Sequence, residues 1–103
     1  MDKIEGLKEI LALDPKNSFA RYGLAMEMAG RGDIDAALSE FDALLAIDQD
    51  YTAGYFMSAQ TLSRMGRTDQ AIERLKSGIA SAARSGNDHA LSEMKEMLED
   101  LER

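Results

Sequence analysis

Gly32-Asp33-Ile34-Asp35-Ala36-Ala37-Leu38-Ser39-Glu40-Phe41 and Gly66-Arg67-Thr68-Asp69-Gln70-Ala71-Ile72-Glu73-Arg74-Leu75 are two copies of one pattern, set 34 residues apart. The glycine, the aspartate three residues on, the alanine and the two large apolar positions all return, and Leu45 returns as Ile79. The same step backwards carries Leu38, Phe41 and Leu45 onto Ile4, Leu7 and Leu11, so the second half of the unit occurs three times. A fixed period of this size marks an array of helical repeats, each too small to bury its apolar face alone. Function in such an array is mostly a matter of what it binds.

Working outward, the chain has 103 residues, enough for one domain that buries roughly 60–65% of its unfolded surface. Its apolar content is aliphatic side chains, alanine and methionine, with three Phe, three Tyr and no Trp. Small and medium side chains suit the space between helices better than a sheet core. The net charge of −7 argues against nucleic acid, whose binding is driven by Lys and Arg, and against an anionic membrane surface. The absence of cysteine excludes disulfides, thiolate catalysis and sulfur-ligated metal. Met1-Asp2-Lys3-Ile4-Glu5 has no apolar signal core, and no run reads as a membrane span. A soluble cytoplasmic protein is the expectation.

Periodicity and punctuation place six helices. Ile4, Leu7, Ile10 and Leu11 form the first amphipathic stretch, with Asp2 as its expected cap and Asp14-Pro15 as its stop. Asn17 or Ser18 opens a second, which ends at Gly30-Arg31-Gly32. Asp33 is the expected cap of a third, in which Ile34, Ala37, Leu38, Phe41, Leu44 and Leu45 keep helical spacing. A fourth runs from about Thr52 to Met65, and Thr68 is expected to cap a fifth carrying Ala71, Ile72, Leu75, Ile79 and Ala82. Ser85-Gly86-Asn87-Asp88 is the next turn, before a sixth helix with Leu91, Met94, Leu98 and Leu101. Helices of three to four turns joined by short turns require antiparallel neighbours.

This unit resembles the tetratricopeptide repeat, whose signature runs W-x2-L-G-x2-Y, then A-x3-F, then P. Leu24-Ala25 with Met28 stands for the first part, and Ala37 with Phe41 reproduces A-x3-F. In the next copy Ala59 and Leu62, then Ala71 and Leu75, take those places. Tyr55 stands where the signature has Trp, Arg21 holds that place one unit earlier, and the proline is kept only at Pro15. The resemblance covers nearly the whole chain. It implies an all-α fold of antiparallel helix-turn-helix repeats, an α-solenoid or superhelix. Residues 1–16 read as an N-terminal half repeat, 17–50 and 51–84 as two full repeats, and 85–103 as a capping helix. Ala25, Ala37, Ala59 and Ala71 are small where paired helices cross closely. Gly78, in the place of Leu44, reads as a site of close approach by the last helix, since an interior glycine otherwise costs about 1 kcal/mol.

The functional clue is a helix that is apolar on two faces. In the second helix Leu24, Ala25 and Met28 form one stripe, while Phe19, Tyr22, Met26 and Ala29 form another roughly opposite. The equivalents of the latter are Ala53, Phe56, Gln60 and Ser63, with Met57 beside Phe56. The resemblance implies that this second stripe lines a concave surface where peptides lie. A peptide-binding face of Phe19, Tyr22, Met26, Ala29, Phe56, Met57 and Gln60 is therefore expected, because aromatics and methionines offer large, adaptable contact area. The alternative is that neighbouring helices bury these residues. Tyr22, Met26, Phe56 and Gln60 occupy the positions where chaperone-tail-binding relatives carry a Lys and Asn carboxylate clamp, so that mode is disfavoured. Arg21, Arg64 and Arg67 read as solvated or paired with local acids.

Other chemistry has little support. His89 is the single histidine, beside Asp88 at a helix start, and reads as a surface residue. Asp48-Gln49-Asp50 lacks the glycine and distal glutamate of a calcium loop. Gly30-Arg31-Gly32 and Ser85-Gly86 follow helices, not strands, and read as helix stops instead of phosphate cradles. No metal, no cofactor and no enzymatic activity is expected. The leading expectation is a scaffold or interaction module for a protein or peptide partner, biased toward a basic one by the charge. The alternative is a self-associating homodimer whose apolar helix faces pair.

Overall fold

The computed structural model describes residues 2–103, so Met1 of the N-terminal Met1–Glu5 stretch lies outside the described residues. The helices are α1 (Lys3–Leu13), α2 (Ser18–Gly30), α3 (Ile34–Ile47), α4 (Thr52–Arg64), α5 (Thr68–Ser85) and α6 (Asp88–Leu101), and no strand occurs among the described residues. They fall into two compact units, one ending at Asp48 and holding α1–α3, the other spanning Gln49–Arg103 and holding α4–α6. An all-α chain of antiparallel helical hairpins is the fold the repeat predicts.

In the first unit α2 packs against both α1 and α3. Leu24, Ala25 and Met28 are buried on α2, Ala37, Phe41 and Leu44 on α3, and Leu11 on α1. Ala25 and Ala37 are fully buried, as are Ala59 and Ala71 in the second unit, so all four predicted small positions lie in the packed core. A larger side chain at any of them would overpack it. The hairpin turn is closed by backbone alone: Gly32 takes φ +85°, its amide donates to Ala29 (3.1 Å), and the Asp33 amide donates to Met28 (3.0 Å). Gly66 repeats the motif at φ +73°, its amide donating to Ser63 (3.0 Å) and the Arg67 amide to Leu62 (2.9 Å). These left-handed residues satisfy helix-end carbonyls in a conformation that costs other residues about 1–2 kcal/mol.

In the second unit α5 packs extensively on α4 and on α6, while α4 and α6 touch only slightly. Tyr55, Ala59, Leu62, Ala71, Leu75, Ala82 and Met94 are the apolar core. Two buried hydroxyls of α4 are satisfied within that helix, Ser58 donating to Gly54 (2.6 Å) and Thr61 to Met57 (2.8 Å), while buried Ser81 of α5 donates to Asp50 (3.0 Å). Tyr55, in the tryptophan position of the signature, buries its ring and donates its hydroxyl to Gln49 (2.7 Å). The close approach expected at Gly78 is present. A Cβ built there would lie 2.5 Å from Met94 Sδ and 2.6 Å from Tyr55 Cβ.

Helix ends depart from expectation in detail. Asn17 and Asn87 cap through their side chains, accepting from Ala20 (2.9 Å) and Ala90 (3.2 Å). Asp2 makes no cap bond, because its carboxylate is held by Arg31 at 2.5 and 3.1 Å. Asp33 makes none either, and the turn before it is closed by Gly32 instead. Thr68 lies inside α5, with Arg67 at the cap position. The main difference is α5 itself, which has 18 residues, five turns instead of three to four. It continues through Ser85 because nothing between Ile79 and Ser85 breaks it, and Gly86 ends it at φ +69°.

Candidate functional site

In the first unit the site expectation concerns the α2 face opposite the core stripe. Spacings of three, four and three place Phe19, Tyr22, Met26 and Ala29 along it. Phe19 is 78% exposed, whereas Tyr22, Met26 and Ala29 are half-buried. The Tyr22 ring meets the core ring of Phe41 edge-on, with centroids 6.4 Å apart and planes at 65°. Burial raises the Tyr22 phenol above its ordinary range, so the hydroxyl stays protonated at neutral pH. Beside it Arg21 donates to Glu40 on α3 (2.8 Å) and to the Pro15 carbonyl (3.0 Å), tying α2 to the turn before it. Its Nε is buried without a hydrogen-bond partner among the described residues. The arginine thus fills the tryptophan place with its stem and is committed to a local acid.

In the second unit Phe56, Met57 and Gln60 are half-buried on α4. Phe56 and Gln60 are brought together on one side of a cleft of about 320 Å³, whose other side is Glu93, Glu96, Met97 and Asp100 of α6. Met57 is not among the residues that line it. The three carboxylates differ in their commitments. Glu93 lies 3.1 Å from His89 Nε2, one turn back on α6, a pair that is ionic only when the imidazole is protonated. Asp100 pairs with Arg103 at 3.4 Å, and Glu96 has no ion-pair partner among the described residues. From sequence these α6 residues belong only to a capping helix, with no part in the site. What could have found them is the alternation of Glu93, Met97 and Glu96, Asp100 at a spacing of four, which puts acids and an apolar side chain on adjoining strips of one helix.

The remaining candidates are structural. Asp50 of the Asp48-Gln49-Asp50 stretch accepts from Arg84 (2.6 Å) and Ser81 (3.0 Å), which holds its carboxyl below the usual range and joins the α4 entry to the end of α5. No group of three or more His, Asp or Glu among the described residues is placed to hold a metal ion. No helix of the described residues is long and apolar enough to cross a membrane.

Comparison with known proteins gives these faces a context. The family model described as tetratricopeptide repeat matches residues 28–98, most of the chain. The chain belongs to the tetratricopeptide-repeat family. A TPR repeat-containing protein of Pseudomonas aeruginosa is 30% identical over 100 residues, 97% of this chain and 95% of that one. The solution structure of a tetratricopeptide repeat domain protein from Salinibacter ruber is 33% identical and superposes with a TM-score of 0.81, covering 85% of this chain and 89% of the other. The crystal structure of PcrH in complex with the chaperone binding region of PopD has the same fold, with a TM-score of 0.87 at 20% identity over 95% of this chain and 74% of that one. Tetratricopeptide-repeat proteins are typically non-enzymatic protein-interaction modules.

Proposed function

We propose that this tetratricopeptide-repeat chain is a cytoplasmic, non-enzymatic scaffold that docks peptide segments of a partner protein, using one face of α2 in the first unit and one face of α4 in the second. Phe19, Tyr22, Met26 and Ala29 are the contact residues on the first, and Phe56, Met57 and Gln60 those on the second. The observation that carries the reading is Phe19, 78% exposed on a helix whose opposite stripe is buried to within 8% of completely. Folding does not require an aromatic there, and aromatic anchors dominate binding energy where they are covered by a partner. The half-buried Tyr22, held edge-on against the core ring of Phe41, supplies a rigid neighbour with little entropy left to lose. PcrH, which shares the fold, is seen in complex with the chaperone binding region of PopD, a precedent for segment binding by this architecture.

The test is selection of binders from a random peptide display library, followed by affinity measurement on the native chain and on Phe19→Glu and Phe56→Glu. Selected peptides should lose more than about tenfold in affinity on one or both variants. Peptides that bind all three chains equally, with native helicity retained, would remove these faces from the function. A second reading, self-association, has its own observation: Leu13 is 91% and Ile10 45% exposed on α1. A mass that rises with concentration in sedimentation, and falls back in Leu13→Glu, would favour it.

A further inference from the structure

We infer that the α4–α6 cleft of the second unit selects a basic residue next to an apolar one in the docked segment; this rests on the peptide-binding reading above. The cleft is amphipathic across its width. Phe56 and Met97 offer half-buried apolar surface from the two helices, and Gln60 offers an amide between donor and acceptor roles. Around them stand Glu93, Glu96 and Asp100, three carboxylates and no cation among the six lining residues.

Such a combination matches one kind of occupant. An aliphatic or aromatic side chain of the segment covers Phe56 and Met97, removing their apolar surface from water. The stem of a neighbouring arginine or lysine continues that contact, and its charged head reaches Glu96, whose side chain has no ion-pair partner among the described residues. Glu93 and Asp100, one turn to either side, hold weaker local partners, His89 at 3.1 Å and Arg103 at 3.4 Å, both well exposed. These partners can yield to an incoming guanidinium, which gains bidentate geometry. An acidic segment meets three like charges here, in a chain already carrying a net charge of −7. The cleft thus discriminates by repulsion as well as attraction.

The test uses the peptides selected on the native full chain, each synthesised with a fluorescent label. They should be enriched in Arg or Lys beside an apolar residue. Fluorescence anisotropy should show them about tenfold weaker on the Glu93→Gln, Glu96→Gln, Asp100→Asn triple variant, each exposed pair contributing a modest share. Replacing the peptide's basic residue by norleucine should weaken binding to the native chain and leave binding to the triple variant unchanged. Peptides that lose affinity on Phe56→Glu but lack basic residues, or bind the triple variant as tightly as the native chain, would overturn the inference and leave the docking reading standing. Peptides insensitive to Phe19→Glu and Phe56→Glu would overturn both. Self-association of the native chain that the triple variant abolishes would make the cleft's occupant a second copy and would also overturn it. The substituted side chains are exposed and nearly isosteric, so retained helicity is expected and is checked by circular dichroism.

Discussion

Replacing Gly78 by alanine sets two opposing effects against each other, and the structure decides between them. In an ordinary helix interior the change gains about 1 kcal/mol from propensity. Here the added Cβ would stand 2.5 Å from Met94 Sδ, 2.6 Å from Tyr55 Cβ and 3.2 Å from Tyr55 Cγ. The thioether can swing, though Met94 is fully buried and has little room. Tyr55 Cβ cannot, because it is fixed to the α4 backbone and its ring is anchored by the hydroxyl bond to Gln49. Relief therefore requires α5 to move away from α4, at an overpacking cost near the upper end of about 1–3 kcal/mol. The net expectation is a loss of about 1–2 kcal/mol. For a domain of this size that lowers Tm by about 4–16 °C. Gly30→Ala is the control, since nothing lies within 4 Å of a Cβ at the end of α2 and the propensity gain acts alone. Thermal and urea unfolding followed by circular dichroism measures both. If Gly78→Ala raised Tm as Gly30→Ala does, the close packing of α4, α5 and α6 would be refuted.

Three further outcomes follow from the same packing. Phe41→Ala should cost about 3–5 kcal/mol, because its ring is fully buried, whereas Phe19→Ala, 78% exposed, should change stability by less than about 0.5 kcal/mol; urea midpoints compare them. Asp50 is held below its ordinary pKa of 3.8 by Arg84 first and Ser81 second. A depressed folded value means the contribution is present above the unfolded pKa and lost as pH falls through the folded one. Tm of the native chain should therefore drop more between pH 5 and pH 2 than that of Asp50→Asn, and parallel curves would contradict it. In α6 the last turn carries Glu99 and Asp100 at the negative end of the helix dipole, with no basic residue inside it. Its amides should exchange faster than those of α5, as hydrogen exchange read by NMR would show.

Most of the architecture was legible because the residues that set it are local and repeated. Gly32 and Gly66 end helices in the left-handed conformation, and the paired alanines mark where helices pack, so the 34-residue copy carries both turn and core. Gly78 was legible as a contact because an interior glycine has no local reason to be there. The stop of α5 at Ser85-Gly86 was legible, but its five turns exceed the expected three to four, because Ala82, Ala83 and Arg84 are good helix formers and carry the helix past Ser81, the counterpart of the α3 end at Ile47. As a result α4 begins 34 residues after α2, at Thr52 after Ser18, but α6 begins 36 after α4, at Asp88. The inward and outward faces of α6 therefore could not be copied from the earlier helices, and its place opposite Phe56 and Gln60 was hidden. Thr68 misled for a related reason: its residue type suits a cap, yet the helix starts one residue earlier than that type implies.

The slight direct contact between α4 and α6 has a consequence for how this surface can change. Both walls of the cleft are mounted on α5, so the gap between them is set from behind, by side chains such as Leu75, Ala82 and the absent one at Gly78. Lineages could therefore retune which segments fit by substitutions that no ligand ever meets. Comparing surface residues alone would then overlook the positions that govern preference.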